Sequence, residues 1–302
     1  MRPNKFNIIG IGEILWDVYE TEKFLGGAPA NFAIHCKQLG DNGIVVSRTG
    51  CDDLGHEVIN SLQKRELETD YIQQDLTKPT GTVRVSLDKD GKPKFQCTTD
   101  VAFDYLQIDN KLSDLAQHAD AILFGTLAQR NDISRQTIQQ FLKQSVHAFK
   151  IYDINLRGWD EKIKDIVNQS LILTDAIKLN DDELSILKNA WQPEVEDISF
   201  LQYLIAEYNL KCAALTLGEN GCILAQHDEV VEQKGIKIKP VDTTGCGDAF
   251  AAALIHQYLR EKSLKEIASF SNLLGAYVAL FPGATPEYSN SDLSRFEQDI
   301  KS

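Results

Sequence analysis

Short apolar runs alternate along the chain with longer stretches in which apolar residues recur every three or four positions. The runs at 7–12, 44–49, 121–125, 149–155, 176–180 and 213–217 are short and rich in apolar residues, as strands covered on both faces are. Helical periodicity fills the gaps. It is clearest at 29–39, where Pro29 suits a first helical turn and Gly40 an end, at 55–66, and from 132 to about 146. This β/α alternation predicts a mostly parallel sheet with helices on both faces.

Two segments break the rhythm. Residues 14–19 follow the first strand directly. At 82–87, Val83, Val85 and Leu87 alternate with Thr82, Arg84 and Ser86, and a turn at 88–91 leads into 94–98. That alternation predicts a small antiparallel sheet with one wet face, inserted into the large α/β domain. Residues 1–302 are therefore expected to form one domain, with an inserted sheet built from about 13–25 and 80–104. Beside a ligand cleft such a sheet serves as a lid that excludes water. The plainer alternative is an edge hairpin with no role.

Composition narrows the function. The chain has 302 residues, 43% hydrophobic and 25% charged, which excludes disorder as the main state. With 31 Lys and Arg against 44 Asp and Glu, the net charge is −13. Such a chain repels nucleic acid and anionic membrane, so neither is an expected partner. It can hold a phosphate only through a local device. The six cysteines form no Cys-x-x-Cys pair and lie among apolar segments, which points to reduced thiols and a cytoplasmic setting. The N-terminal run is short and Glu13 interrupts it, so it reads as a strand rather than a signal peptide or membrane anchor.

The local device is in Val241-Asp242-Thr243-Thr244-Gly245-Cys246-Gly247-Asp248, followed by the Ala-rich run 249–255. A glycine turn opening a helix aims free N–H groups and the positive end of the helix dipole at one point. Asp248 stands at the mouth of that helix. A carboxylate is a poor choice there for phosphate binding alone. It makes sense as a base that takes a proton from an attacking hydroxyl while the Gly245, Cys246 and Gly247 N–H groups hold the phosphoryl. The competing reading is a simple helix cap. Asp153, Asn155 and Arg157 sit at the end of a strand, where open parallel sheets place ligands. Arg157 is within reach of a phosphate or sugar there, or is a surface arginine paired with Asp160.

The segment Asp-Thr-Thr-Gly-Cys-Gly-Asp at 242–248 resembles the C-terminal signature of the ribokinase-like (PfkB) carbohydrate kinases. Gly26-Gly27-Ala28-Pro29-Ala30-Asn31 resembles their N-terminal sugar-binding signature, more than 200 residues away. Gly-Glu-Ile-Leu-Trp-Asp at 12–17, Pro-Thr-Gly-Thr-Val-Arg at 79–84 and Phe-Gly-Thr-Leu-Ala-Gln-Arg at 124–130 resemble bacterial fructokinases in particular. Cys246 departs from the alanine most common in the family. The resemblance implies a three-layer αβα domain with a mostly parallel central sheet and a small β-sheet lid. It also implies an ATP- and Mg²⁺-dependent sugar kinase, most similar to fructokinases.

Residue roles follow from the same resemblance. Asp17 and Asn31 would bind sugar hydroxyls, with Gly26 and Gly27 letting the backbone approach the sugar closely. Asn180 and Glu183 match the Asn-x-x-Glu motif, Glu183 acting on Mg²⁺ through water. They equally match a capping box. Thr216, Gly218 and Gly221 would lie along the nucleotide, and Asn272 on its adenine side. Asp242 and Thr244, with the loop 281–286, would hold K⁺ in potassium-using members. A homodimer through the lid is a further expectation. The rivals are a kinase for 2-keto-3-deoxygluconate or a related sugar, and a catalytically dead sugar-binding regulator.

Overall fold

The computed structural model describes residues 5–87 and 93–300, with backbone alone for 85–87 and 93–95. The turn expected at 88–91 lies outside the described residues. In chain order the strands are β1 (Asn7–Ile11), β2 (Leu15–Val18), β3 (Lys23–Gly26), β4 (Asn42–Gly50), β5 (Ile72–Asp75), β6 (Gly81–Leu87), β7 (Pro93–Cys97), β8 (Ala121–Gly125), β9 (Phe149–Asp153), β10 (Ala176–Asn180), β11 (Cys212–Thr216), β12 (Gly221–Ala225) and β13 (Val230–Lys234). The helices are α1 (Ala28–Gln38), α2 (Asp53–Lys64), α3 (Asn110–Gln117), α4 (Asp132–Gln144), α5 (Glu161–Ile172), α6 (Asp181–Trp191), α7 (Asp197–Tyr208), α8 (Cys246–Tyr258), α9 (Leu264–Val278) and α10 (Asn290–Asp299).

The large sheet runs β13-β12-β11-β10-β9-β8-β1-β4-β5. Pairing is parallel from β5 through to β11 and antiparallel from β11 to β13. Alternation within each strand sorts side chains onto two faces. Ile9, Ile11, Ile122, Phe124, Ile177 and Leu179 pack with α3 to α7 on one face. Ile8, Leu123, Ile151 and Ala214 pack with α1, α8 and α9 on the other. The three-layer architecture expected from the sequence is therefore the one found. No helix among the described residues is long and apolar enough to cross a membrane.

The small sheet runs β3-β2-β6-β7. Its outer pairs are antiparallel, but the central seam is parallel, with Leu15 opposite Gly81 and Val18 opposite Arg84. This corrects the all-antiparallel expectation. The physical reason is that β2 and β6 each follow a strand of the parallel sheet. Both leave the same edge in the same direction, so they meet side by side. β3, β5 and β13 are short or largely polar, and periodicity alone does not mark them.

The carboxyl ends of β1, β8, β9, β10 and β11 share one edge, and the glycine turn before α8 approaches it. The far end of α8 is fixed by a buried cluster. Asp41, in the turn between α1 and β4, accepts from Arg260 Nη1 and Nη2 at 3.1 and 2.8 Å and bonds His256 Nδ1 at 2.6 Å. The Phe6 N–H adds a bond of 3.2 Å. Burial alone would raise the Asp41 carboxyl, but these partners outweigh it and hold the group below its usual range.

A carboxylate depressed in this way stabilises the fold above its unfolded titration range and loses that effect as pH falls through its folded value. Asp41→Asn should therefore cost about 2–4 kcal/mol at pH 7, read as the shift of a denaturant midpoint. The difference should shrink below about pH 4. An unchanged midpoint at pH 7 would detach the cluster from the stability of α8.

Candidate active site

α8 begins at Cys246, with Gly245 as its left-handed N-cap (φ 77°, ψ −4°) and no side chain capping it. Gly245 is required twice over. L side chains avoid this conformation, and a Cβ would lie 2.5 Å from the Cβ and carbonyl oxygen of Ala284. The Cys246 N–H makes only a long 3.4 Å bond to Thr243 O. The first turn thus presents N–H groups without helical acceptors, an anion site by construction.

Lys178 completes this mouth, and no sequence motif singles it out. It is 8% exposed on β10, pointing to the α8 face, and a Cβ on Gly247 would come within 2.7 Å of its Nζ. Both Asp153 carboxylate oxygens accept from Nζ, at 3.1 and 3.0 Å. Burial alone would lower the ammonium's pKa, but Asp153, Glu183 and Asp248 outweigh it and raise it. The available signal was a lone lysine in the apolar strand Ala-Ile-Lys-Leu-Asn, where an unpaired charge is untenable.

Asp248 does not cap the helix. Its Oδ2 accepts from Asn31 Nδ2 at 2.8 Å, across 217 residues of sequence. Burial pushes its carboxyl up to about 7, with Asp153 and Glu13 adding to the rise and Lys178 and Asn31 opposing it. The neighbouring Cys246 thiol is pushed up to about 12, first by burial and then by Asp248 and Asp242. Burial therefore favours the protonated thiol near neutral pH.

Across the mouth, Asp17 is half-buried on β2 and pushed up to about 6 by burial, with Arg157 pulling it down and Asp242 up. A Cβ on Gly26 would collide with the Asp17 carboxylate, and Gly27 is the N-cap of α1 at φ 106°. Asn31 is 3% exposed, and its Oδ1 has no partner. Arg157 is exposed and makes no ion pair with Asp160. Asp160 instead caps α5 by accepting from the Ile163 N–H at 2.8 Å.

Behind the α8 mouth lies a cavity of about 750 Å³. Asn180, Thr216, Gly218, Gly221, Cys246, Gly247, Asn272 and Lys178 all line it, so residues from β10 to α9 that the sequence grouped as nucleotide-facing share one space. Asn272 also ties α9 to β13, its Nδ2 donating to Lys234 O at 3.0 Å. Asn180 and Glu183 form the capping box. Asn180 Oδ1 accepts from the Glu183 N–H at 2.8 Å, and Glu183 Oε2 from the Asn180 N–H at 2.9 Å. Glu183 Oε1 also accepts from the Leu156 N–H at 2.9 Å. Asp242 accepts from the Thr244 and Gly283 N–H groups, each at 2.9 Å, closing the loop over Gly245. Among the described residues no cluster of three or more His, Cys, Asp or Glu is arranged to hold a metal ion. Glu183, whose carboxylate is already held by backbone N–H groups, suits a cation that stays on phosphate oxygens and water, as Mg²⁺ does.

Known proteins are similar to this chain over most of its length. The profile of the pfkB family of carbohydrate kinases matches residues 8–290. Fructokinase-2 of Solanum habrochaites is 30% identical over 305 residues, covering 92% of each chain. The structure of an uncharacterised sugar kinase from Pyrococcus horikoshii in complex with ATP is 28% identical. It covers 97% of this chain and 99% of its own, with a TM-score of 0.82. A fructokinase from Vibrio cholerae O395, bound to fructose, ADP and calcium, shares the fold at TM-score 0.83 and 23% identity over 97% and 99% of the chains.

The raised Asp248 carboxyl makes a prediction about stability. An acid raised on folding stabilises the protein below its unfolded range and loses that contribution as pH rises through its folded value. Asp248→Asn removes the titration. The variant should gain on the unmutated protein by about 1–2 kcal/mol between pH 4 and 8, discounted for partial exposure. Melting temperatures across that range test this. A difference that does not vary with pH would refute burial as the cause.

Proposed function

This chain belongs to the pfkB family of carbohydrate kinases, and from that footing we propose that it transfers the γ-phosphoryl group of ATP to a hydroxyl of D-fructose, with Asp248 as general base. The observation that carries the reading is the Asn31–Asp248 hydrogen bond. It joins the N-terminal glycine signature to the α8 mouth, so a hydroxyl held by Asn31 lies beside a proton acceptor.

In this reading Asp248 takes the hydroxyl proton as the oxygen attacks the γ-phosphorus and the bond to the ADP oxygen breaks. The N–H groups of Gly245, Cys246 and Gly247 hold the charge that gathers on the transferring group. Lys178, fixed by Asp153, adds a positive charge beside them. The 750 Å³ cavity receives ATP along Asn180, Thr216, Gly218 and Gly221, with Asn272 at its far side. Mg²⁺, when bound with ATP, would neutralise phosphate charge, and Glu183 with Asn180 would hold it through water. Asp242 and Thr244 would take K⁺ at a loop that Asp242 already closes. A cytoplasmic setting, with all six cysteines free, and a homodimer through the small sheet belong to the same proposal.

A neutral sugar fits the charge around the site. Asp17, Asp248 and Asn31 offer acceptors and an amide, which match hydroxyl donors. The small sheet, with Asp17 on it, would act as the lid. The second reading, a sugar acid such as 2-keto-3-deoxygluconate, is favoured by Arg157. Its side chain is exposed, makes no ion pair among the described residues, and is close enough to pull down the Asp17 carboxyl.

Phosphorylation of a panel of neutral sugars and sugar acids with ATP and Mg²⁺ decides between these. Fructose should give the highest kcat/KM, and turnover of no sugar would remove the kinase reading for this chain. Asp248→Asn should lower kcat by roughly 10²–10⁴-fold while leaving both KM values nearly unchanged. Asp17→Ala should raise KM for sugar by roughly tenfold or more and leave KM for ATP alone. Equal shifts in both constants would move Asp17 out of the sugar site.

A further inference from the structure

We propose that Glu13 is a specificity-determining residue of the sugar site, its carboxyl reading a substrate hydroxyl beside the one that reacts. The inference rests on the sugar-kinase reading and adds a residue to it.

Glu13 follows β1 at the carboxyl edge of the large sheet and is 2% exposed. Its Oε2 has no hydrogen-bond partner, and neither has Asn31 Oδ1. Both lie at the start of α1. A Cβ on Gly27 would lie 2.5 Å from the Glu13 carbonyl oxygen, the Ala28 N–H faces the Glu13 carboxyl, and Asn31 follows one turn later. The groups that act on Glu13 bracket the sugar site: Arg157 and Asp153 at the end of β9. Glu13 in turn acts on Asp248 on α8 and on Cys97 in the small sheet.

Two buried, orphaned acceptors at the start of one helix are costly, and native folds rarely leave such groups without a purpose. Capping of α1 explains only part of the arrangement. The N–H groups of Glu13 itself and of Ala28 steady the carboxyl, yet Oε2 remains buried without a partner. A polyol brings donors in the right number, since each hydroxyl gives one hydrogen and accepts others. Burial also pushes the Glu13 carboxyl up to about 7, so near neutrality it donates as well as accepts. With Asn31 bonded to the base by its amide nitrogen, its oxygen and Glu13 Oε2 are left to select which hydroxyls stand next to Asp248.

The test uses the full chain, Glu13→Gln and Glu13→Ala. Melting temperature reports folding, and the volume-conserving Gln variant decides if Ala does not fold. Kinetics are measured with the best sugar of the panel and each of its monodeoxy analogues. Glu13→Gln should raise KM for the parent sugar by roughly tenfold or more, with KM for ATP within about twofold. For one deoxy analogue, variant and unmutated protein should then have nearly equal kcat/KM, because the hydroxyl that Glu13 reads is already missing. A sugar KM unchanged in an active variant, or the same loss on every analogue, overturns the proposal. If the unmutated protein phosphorylates no sugar, the kinase reading fails and the inference falls with it. An active unmutated protein with an indifferent Glu13 sinks this inference alone.

Discussion

A chain of net charge −13 can attract an anion only where its field is locally reversed, and the mouth of α8 has the geometry for that. Two sources of positive charge converge on it. One is the open first turn of a helix whose N-cap is a left-handed glycine. The other is Lys178, aimed at Gly247 and locked by both oxygens of Asp153. Much else follows from keeping these two together. β9 and β10 must be adjacent and parallel so that Asp153 and Lys178 stand side by side. α8 must lie on the face of the sheet to which Lys178 points. The loop carrying Ala284 must press on Gly245, and Asp242 and His35 hold that loop in place.

The same mouth gathers acids whose charges oppose one another. Glu13 and Asp248 are both pushed up to about 7 and Asp17 to about 6, each chiefly by burial. A site of this kind is ill suited to hold a fully ionised acid cluster and well suited to neutral, hydroxyl-rich ligands. It also places a proton acceptor near its half-titrated state at neutral pH, where a general base works best. Clustered perturbed acids in a cleft are a common mark of function. Here the mark coincides with the glycine signatures from both ends of the chain.

Much of this was legible in the sequence, and the exceptions have physical causes. The buried strands β1, β8, β9, β10 and β11 announced themselves because a strand covered on both faces must be apolar. β5 and β13 did not, since Ile-Gln-Gln-Asp and Val-Val-Glu-Gln-Lys are polar edge sequences. The parallel seam of the small sheet depends on where two distant excursions leave the large one, and no local pattern encodes that. Among the site residues, glycine turns and helix starts were visible, because backbone geometry demands particular residue types. Lys178, Glu13 and the Asn31–Asp248 contact were not, because each becomes meaningful only when distant strands and helices are brought together. Asn180 and Glu183 show the reverse. Their capping box was readable from spacing alone and is present in full.

The parallel seam has a mechanical consequence. The small sheet joins the large body through two pairs of chain crossings, at residues 12–14 and 26–27 and at residues 79–81 and 98–101. The second pair is stiff. Asp52 accepts from Thr80 N and Oγ1 at 2.8 and 2.6 Å, Ala102 N–H reaches Pro79 O at 2.8 Å, and Arg130 Nη2 holds Thr98 O at 2.6 Å. Because β2 and β6 are zipped along their length, neither hairpin can swing alone without breaking the ladder between them. Any displacement of the sheet is then a rotation of one leaf about the line through its two roots. Such a leaf has a single soft coordinate, so Asp17 on β2 and Val83, its in-register neighbour on β6, move together or not at all.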